Sequence, residues 1–187
     1  MENNTAVIEE LKKIIEGLLF VAPEPVPVKQ LASVVDRPQA EIEQVLQQMR
    51  EEYRRRGIRL QQKGDKVQLV SAPELTDYIE AFLGVTISGK LSTPALETLA
   101  IVAYRQPITR SEIEAIRGVN SDGVLRTLLS KGLVEEVGRL DTVGHPAVFG
   151  TTFEFLRFFG LERLEDLPPL EFEDPPHNHP GGEPDGD

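Results

Sequence analysis

The stretch "GRLDTVGHP" at 138–146 sets Arg139, Asp141 and His145 among Gly138, Gly144 and Pro146. A catalytic use would make His145 a general base oriented by Asp141. No candidate nucleophile or oxyanion donor is identifiable nearby, so the reading is an exposed loop histidine and no enzyme. His177 and His179 form a pair in an acidic tail, but a metal needs ligands that converge in fixed geometry. Neither a G-x-x-x-x-G-K-[ST] phosphate loop nor a G-x-G-x-x-G occurs, so no nucleotide motif is present and no cofactor is expected. The absence of Cys excludes a disulfide scaffold, thiolate metal sites and a thiol nucleophile, and fits a reducing compartment.

A second chemistry-bearing cluster is cationic. In "RRRGIRLQQKGDK" (54–66), Arg54, Arg55, Arg56, Arg59, Lys63 and Lys66 stand against Asp65 alone. Such a run suits phosphate contact by a winged-helix DNA-binding regulator. The plainer alternative is a helix C-terminus whose arginines complement the macrodipole. The whole chain carries a net charge of -11. From Glu165 onward there are eight acidic residues and no Lys or Arg, and removing those eight leaves 20 basic against 23 acidic residues. The tail therefore sets the acidity.

The elements that would position these groups read as one unit written twice. In the first copy "IEELKKIIEGLLFVA" (8–22) carries apolar residues at 8, 11, 14, 15, 18 and 19, a helical stripe. A short helix "VKQLASVV" follows, then a long one with Ile42, Val45, Leu46 and Met49 on one face. "IRLQQKGDKVQLVS" turns at Lys63-Gly64-Asp65 as a hairpin, and "PELTDYIEAFLG" closes the unit as a helix. The second copy repeats the order. "PALETLAIVAY" starts at Pro94 with Thr93 as N-cap, and Thr109 with Glu112 makes a capping box for "RSEIEAIR", which Gly118 ends. A helix from Asn120 or Ser121 to Lys131 has Ser121, Asp122, Arg126, Thr127, Ser130 and Lys131 as expected outward positions. Strands "LVEEV" and "AVFGT" flank the 138–146 loop, and Thr151 with Glu154 caps "FEFLRFFG".

The pattern predicts an α+β, mainly helical chain of two tandem winged-helix domains, each with three helices, a two-stranded wing and a closing helix. Expected bounds are 5–84, a linker at 85–92, 93–170, and a disordered acidic tail at 171–187. The N-terminus lacks a basic region followed by an apolar run, and its longest apolar run is far too short for a membrane helix, so no secretory signal or membrane partner is expected. The long helices are poor reading heads for DNA: Asp122 would face phosphate, and Glu41 and Glu43 accompany the glutamines of the first copy. Phe153, Phe155, Phe158 and Phe159 point around much of the last helix, so some of these rings pack beyond their own core, on the following segment, the other unit or a partner.

The segment 91–170 resembles the C-terminal half of the segregation and condensation protein B family through "ALETLAIVAYRQPIT", "EIEAIRGV", "GRLDTVGHP" and "GTT…FL..FGL..L..LP". The first copy is similar more loosely, through "IEGLLFVAPEPV" and its layout. His145 stands where the family pattern has Arg, and Phe149 where it has Tyr. The resemblance implies a non-enzymatic subunit of the bacterial SMC condensin complex, acting in chromosome condensation and segregation in the cytoplasm at the nucleoid. It implies a homodimer formed through the N-terminal domain that binds the kleisin subunit ScpA, with the SMC ATPase reached through the kleisin and DNA contact at most weak and non-specific. For the kleisin contact the residues singled out are Tyr104, Arg105, Gln106, Arg110, Arg117 and Arg126, with Phe155 and Phe158.

Overall fold

The computed structural model describes residues 2–84 and 89–170. The expected tail at 171–187 and half of the expected linker lie outside the described residues.

Helix α1 (Glu2–Val21) is followed by β1 (Val26–Pro27), α2 (Val28–Val35), α3 (Gln39–Tyr53), the hairpin β2 (Ile58–Lys63) and β3 (Lys66–Ser71), and α4 (Thr76–Leu83). The second half repeats the scheme with α5 (Thr93–Arg105), β4 (Ile108–Thr109), α6 (Arg110–Arg117), α7 (Asp122–Ser130), β5 (Val134–Arg139), β6 (Ala147–Thr151) and α8 (Phe153–Phe158). The tandem winged-helix architecture is present. Each wing gains a third, two-residue strand, giving antiparallel sheets ordered β1-β3-β2 and β4-β6-β5. Two residues are too few to show an alternation.

The expected face of α3 is the first core: Ile42, Val45, Leu46 and Met49 are buried with Leu11, Ile15 and Leu19 of α1, Leu31 of α2, and Leu60 and Val67 of the wing. Tyr53 closes this core and donates from its hydroxyl to Glu16 Oε2 at 2.6 Å. Burial, with that carboxylate, pushes its phenol well above the usual range. Lys12 bridges α1 to α3 through Glu52, at 2.5 Å, and this hydrogen bond raises its pKa. The second core joins Leu99 and Val102 of α5, Ile113 of α6, Leu125 and Leu128 of α7, Leu133, Phe149 and Phe155.

Local signals behaved unevenly. The capping box forms as read: Thr109 Oγ1 accepts from Glu112 N, and Glu112 accepts from Thr109 N at 2.8 Å. Gly118 ends α6 at φ 71°, in the left-handed region that glycine enters without penalty. Helix α5 begins one residue earlier than expected, at Thr93, and Ser92, its N-cap, makes no side-chain cap bond. The cap of α8 is Thr152, which accepts from Phe155 N at 3.0 Å, in place of Thr151. Thr151 still belongs to β6, paired with Val134, and its N–H and hydroxyl donate to Gln106 Oε1.

After α8 the chain runs across to the first unit. Gln62 N donates to the Glu162 carbonyl at 2.9 Å, and Lys63 pairs with Glu135 at 2.7 Å.

Candidate partner-binding surfaces

The cations of 54–66 are largely engaged within the molecule. Arg54 pairs with Glu51 at 2.8 Å, and Arg56 lies over the Tyr53 ring with 5.0 Å to its centroid. Arg59 is only 9% exposed, donating to the carbonyls of Tyr53, Arg56 and Ile58 and pairing with Glu74. Lys63 is held by Glu135, which leaves Arg55, Arg56 and Lys66 as exposed cations of the cluster with no ion pair shown, Arg56 having the Tyr53 ring instead. A phosphate ladder needs cations that can turn outward; Arg59 is enclosed by its own main chain.

On the helix-turn-helix face, Asp122 binds both Arg110, at 3.0 Å, and Arg126, at 2.7 Å. Ser121, expected to face outward, is fully buried. Its hydroxyl accepts from Arg117 Nη1 at 2.9 Å and its N–H donates to Glu114 Oε1 at 3.0 Å, so it closes the turn from within. Arg117 has an 8% exposed side chain tied also to Glu97 at 3.4 Å, and its Nε lacks a hydrogen-bond partner among the described residues. It stabilises the α6–α7 corner.

The residues that the resemblance singled out therefore separate. Arg110 and Arg126 stand together at an open groove of about 320 Å³, lined also by Leu125, Leu129, Ala147 and Phe149. Tyr104, half-buried, donates to the Pro168 carbonyl at 2.6 Å, and Arg105 beside it is exposed. Gln106 ties the end of α5 to Thr151 at 2.8 Å. Phe155 is 2% exposed in the second core. Phe158 packs on that core and meets Phe159 edge-on, centroids 5.1 Å apart. The α8 rings thus meet their own unit, and Leu161, Leu164 and Leu167 of the following segment cover the same core.

Apolar exposure lies elsewhere, at positions that spacing did not flag. Phe20 and Val21 at the end of α1 are 82% and 73% exposed, and Tyr78, Phe82 and Leu83 on α4 are 75%, 88% and 57% exposed. The signal lies in "TDYIEAFL": its large apolar residues at 78, 79, 82 and 83 follow a helical stripe, which by itself predicts only a helix that closes the unit.

The 138–146 loop supports no catalytic constellation. His145 Nδ1 lies 3.9 Å from Asp141 Oδ1, beyond hydrogen-bond reach, and both side chains are exposed. Among the described residues no group of three or more His, Asp or Glu could hold a metal, and no helix is long and apolar enough to cross a membrane.

A family model described as "Segregation and condensation complex subunit ScpB" matches residues 13–170. The segregation and condensation protein B of Clostridium botulinum (strain Kyoto / Type A2) is 45% identical over 171 residues, covering 90% of this chain and 89% of its own. Among solved structures, ScpB from Mycobacterium tuberculosis is 40% identical, with 82% of this chain and 97% of that one covered and a TM-score of 0.40. A dimer of the ScpB N-terminal domain complexed with ScpA peptide is 26% identical, covering 41% of this chain and 98% of that one, TM-score 0.39. The family match and the identity shared with the clostridial relative together establish that this chain belongs to the segregation and condensation protein B family, subunits of the segregation and condensation complex.

Proposed function

We propose that this chain is a non-catalytic assembly subunit of an SMC-type condensation complex, built as two separately folded units at 5–84 and 93–170 joined by 85–92. It pairs with a second copy through the N-terminal unit and receives a central segment of the kleisin ScpA, through which it reaches the SMC ATPase. Nucleotide chemistry then belongs to that partner, and this chain takes no cofactor. It works in the cytoplasm, at the nucleoid.

The observation that carries this reading is α4. Eight residues long, it buries none of its own side chains and presents Tyr78 and Phe82 to water. So short a helix has little stability of its own, and its exposed rings, like Phe20 at the end of α1, mark surface that another polypeptide covers. Family membership makes a second copy and a kleisin the partners that suit it. The groove between α6, α7 and the wing complements this: its apolar floor and two guanidiniums fit an amphipathic segment bearing carboxylates. With Arg59 enclosed and Asp122 at the head of α7, DNA contact is at most weak and non-specific.

Light scattering on the eluting full chain tests the pairing. The expected mass is twice 20.8 kDa, falling to one chain in a Phe20→Asp, Phe82→Asp variant whose far-ultraviolet spectrum is unchanged. A monomeric parent chain contradicts the pairing.

A further inference from the structure

The segment after α8 forms a strap between the two units. Gly160, at φ 67°, sits so close to the first unit that a Cβ there would lie 3.1 Å from Pro73 Cβ and Cγ. The Leu161 carbonyl then accepts from Gln61 Nε2 at 2.8 Å and the Glu162 carbonyl from Gln62 N at 2.9 Å. Since β2 is the outer strand of its sheet, residues 161–162 engage a free edge.

At the centre stands the Glu162 carboxylate, 16% exposed, 3.7 Å from Arg59 Nε and 3.9 Å from Arg50 Nε. Both guanidinium-bearing side chains come from the first unit and are about as enclosed, at 10% and 9% exposed. Arg59 is fixed by main-chain carbonyls and Glu74, Arg50 by Gln62 at 2.7 Å. Arg50 Nε has no hydrogen bond among the described residues, so its compensation comes from Glu162. Burial pushes the Glu162 carboxyl above its ordinary value and the Arg50 guanidinium below its own.

A buried pair of this kind adds little net stability, yet losing one member leaves an uncompensated charge. It therefore favours one geometry more than it strengthens the fold. The junction it anchors is polar, the type of contact that opens while the domains on either side stay folded.

We propose that Glu162 is the bolt of an electrostatic latch that holds the two units in one mutual orientation and opens without unfolding either. The latch governs how the α6–α7 groove is presented relative to the apolar face of α4. It rests on the reading of the chain as two separately folded units.

The chain has no cysteine, so Gln47→Cys on α3 and Thr127→Cys on α7, both exposed, can carry one spin label each on the full chain. Dilution with unlabelled chain restricts the readout to pairs within one copy. The parent is expected to give one narrow distance peak. Glu162→Gln and Glu162→Arg are expected to lose it to a broad distribution, whereas Lys63→Met, which removes the more exposed cross-unit pair, retains it. Hydrogen exchange on the same variants must show both cores protected. A parent that is already broad, variants that keep the narrow peak, or cores that lose protection in Glu162→Gln each overturn the latch. Cooperative exchange of both cores as one body in the parent instead defeats the two-unit reading, and is seen without any Glu162 variant.

Discussion

Glu112 shows how much one carboxylate can do when the backbone presents it with donors. Its carboxylate accepts the N–H and the hydroxyl of Thr109, at 2.8 and 2.7 Å, and these bonds hold its pKa below 4.5. A carboxylate with a lowered folded pKa contributes stability that is present above the unfolded value and lost as pH falls through the folded one. Glu112→Gln keeps an acceptor but not the titration. Its deficit relative to the parent is expected to shrink as urea midpoints are measured from neutral pH down through the carboxylate range; a constant deficit contradicts the assignment. This feature was legible because a capping box is local, spelled by Thr109 and Glu112 three residues apart. Ser121 was not legible, because its burial depends on Arg117 and Glu114 folding back over it.

Helix α8 shows where periodicity misleads. Four phenylalanines within one short segment suggested more apolar surface than the second unit can use. Phe155 is 2% exposed and Phe159 44%, with centroids 5.0 Å apart, so one ring is core and the other its lid. Phe155→Ala is expected to cost about 3–5 kcal/mol by chemical denaturation, as for other buried aromatics. Phe159→Ala is expected to cost well under half as much, and equal losses would contradict this division. The converse case is α4, whose stripe fits a helix that closes its unit and whose rings stand exposed in the fold. A helix covered by its own unit and one waiting for a partner have the same stripe, and only the packing tells them apart.

Across the molecule, the repeat of three helices and a wing was readable from order and spacing, and so were the main core faces. The joining of the halves was not. Gln61 reaches Leu161 across 100 residues, and Arg59 meets Glu162 inside the junction. Nothing in "RRRGIRLQQKGDK" says that one of its arginines will be enclosed by its own carbonyls. On the proposed function, this packing makes a run that reads as a phosphate site largely structural, through the enclosed Arg59, and leaves the α6–α7 groove and the α1 and α4 rings as the surfaces for a protein partner.

The most direct test of that conclusion is calorimetric titration of the full chain with the central segment of ScpA, set beside a duplex DNA of arbitrary sequence at physiological salt. Saturable heat is expected from the kleisin segment and none from the duplex, and Arg126→Glu should weaken the kleisin affinity by about tenfold, roughly 1.4 kcal/mol. Saturable binding of the duplex with no heat from the kleisin segment would contradict it.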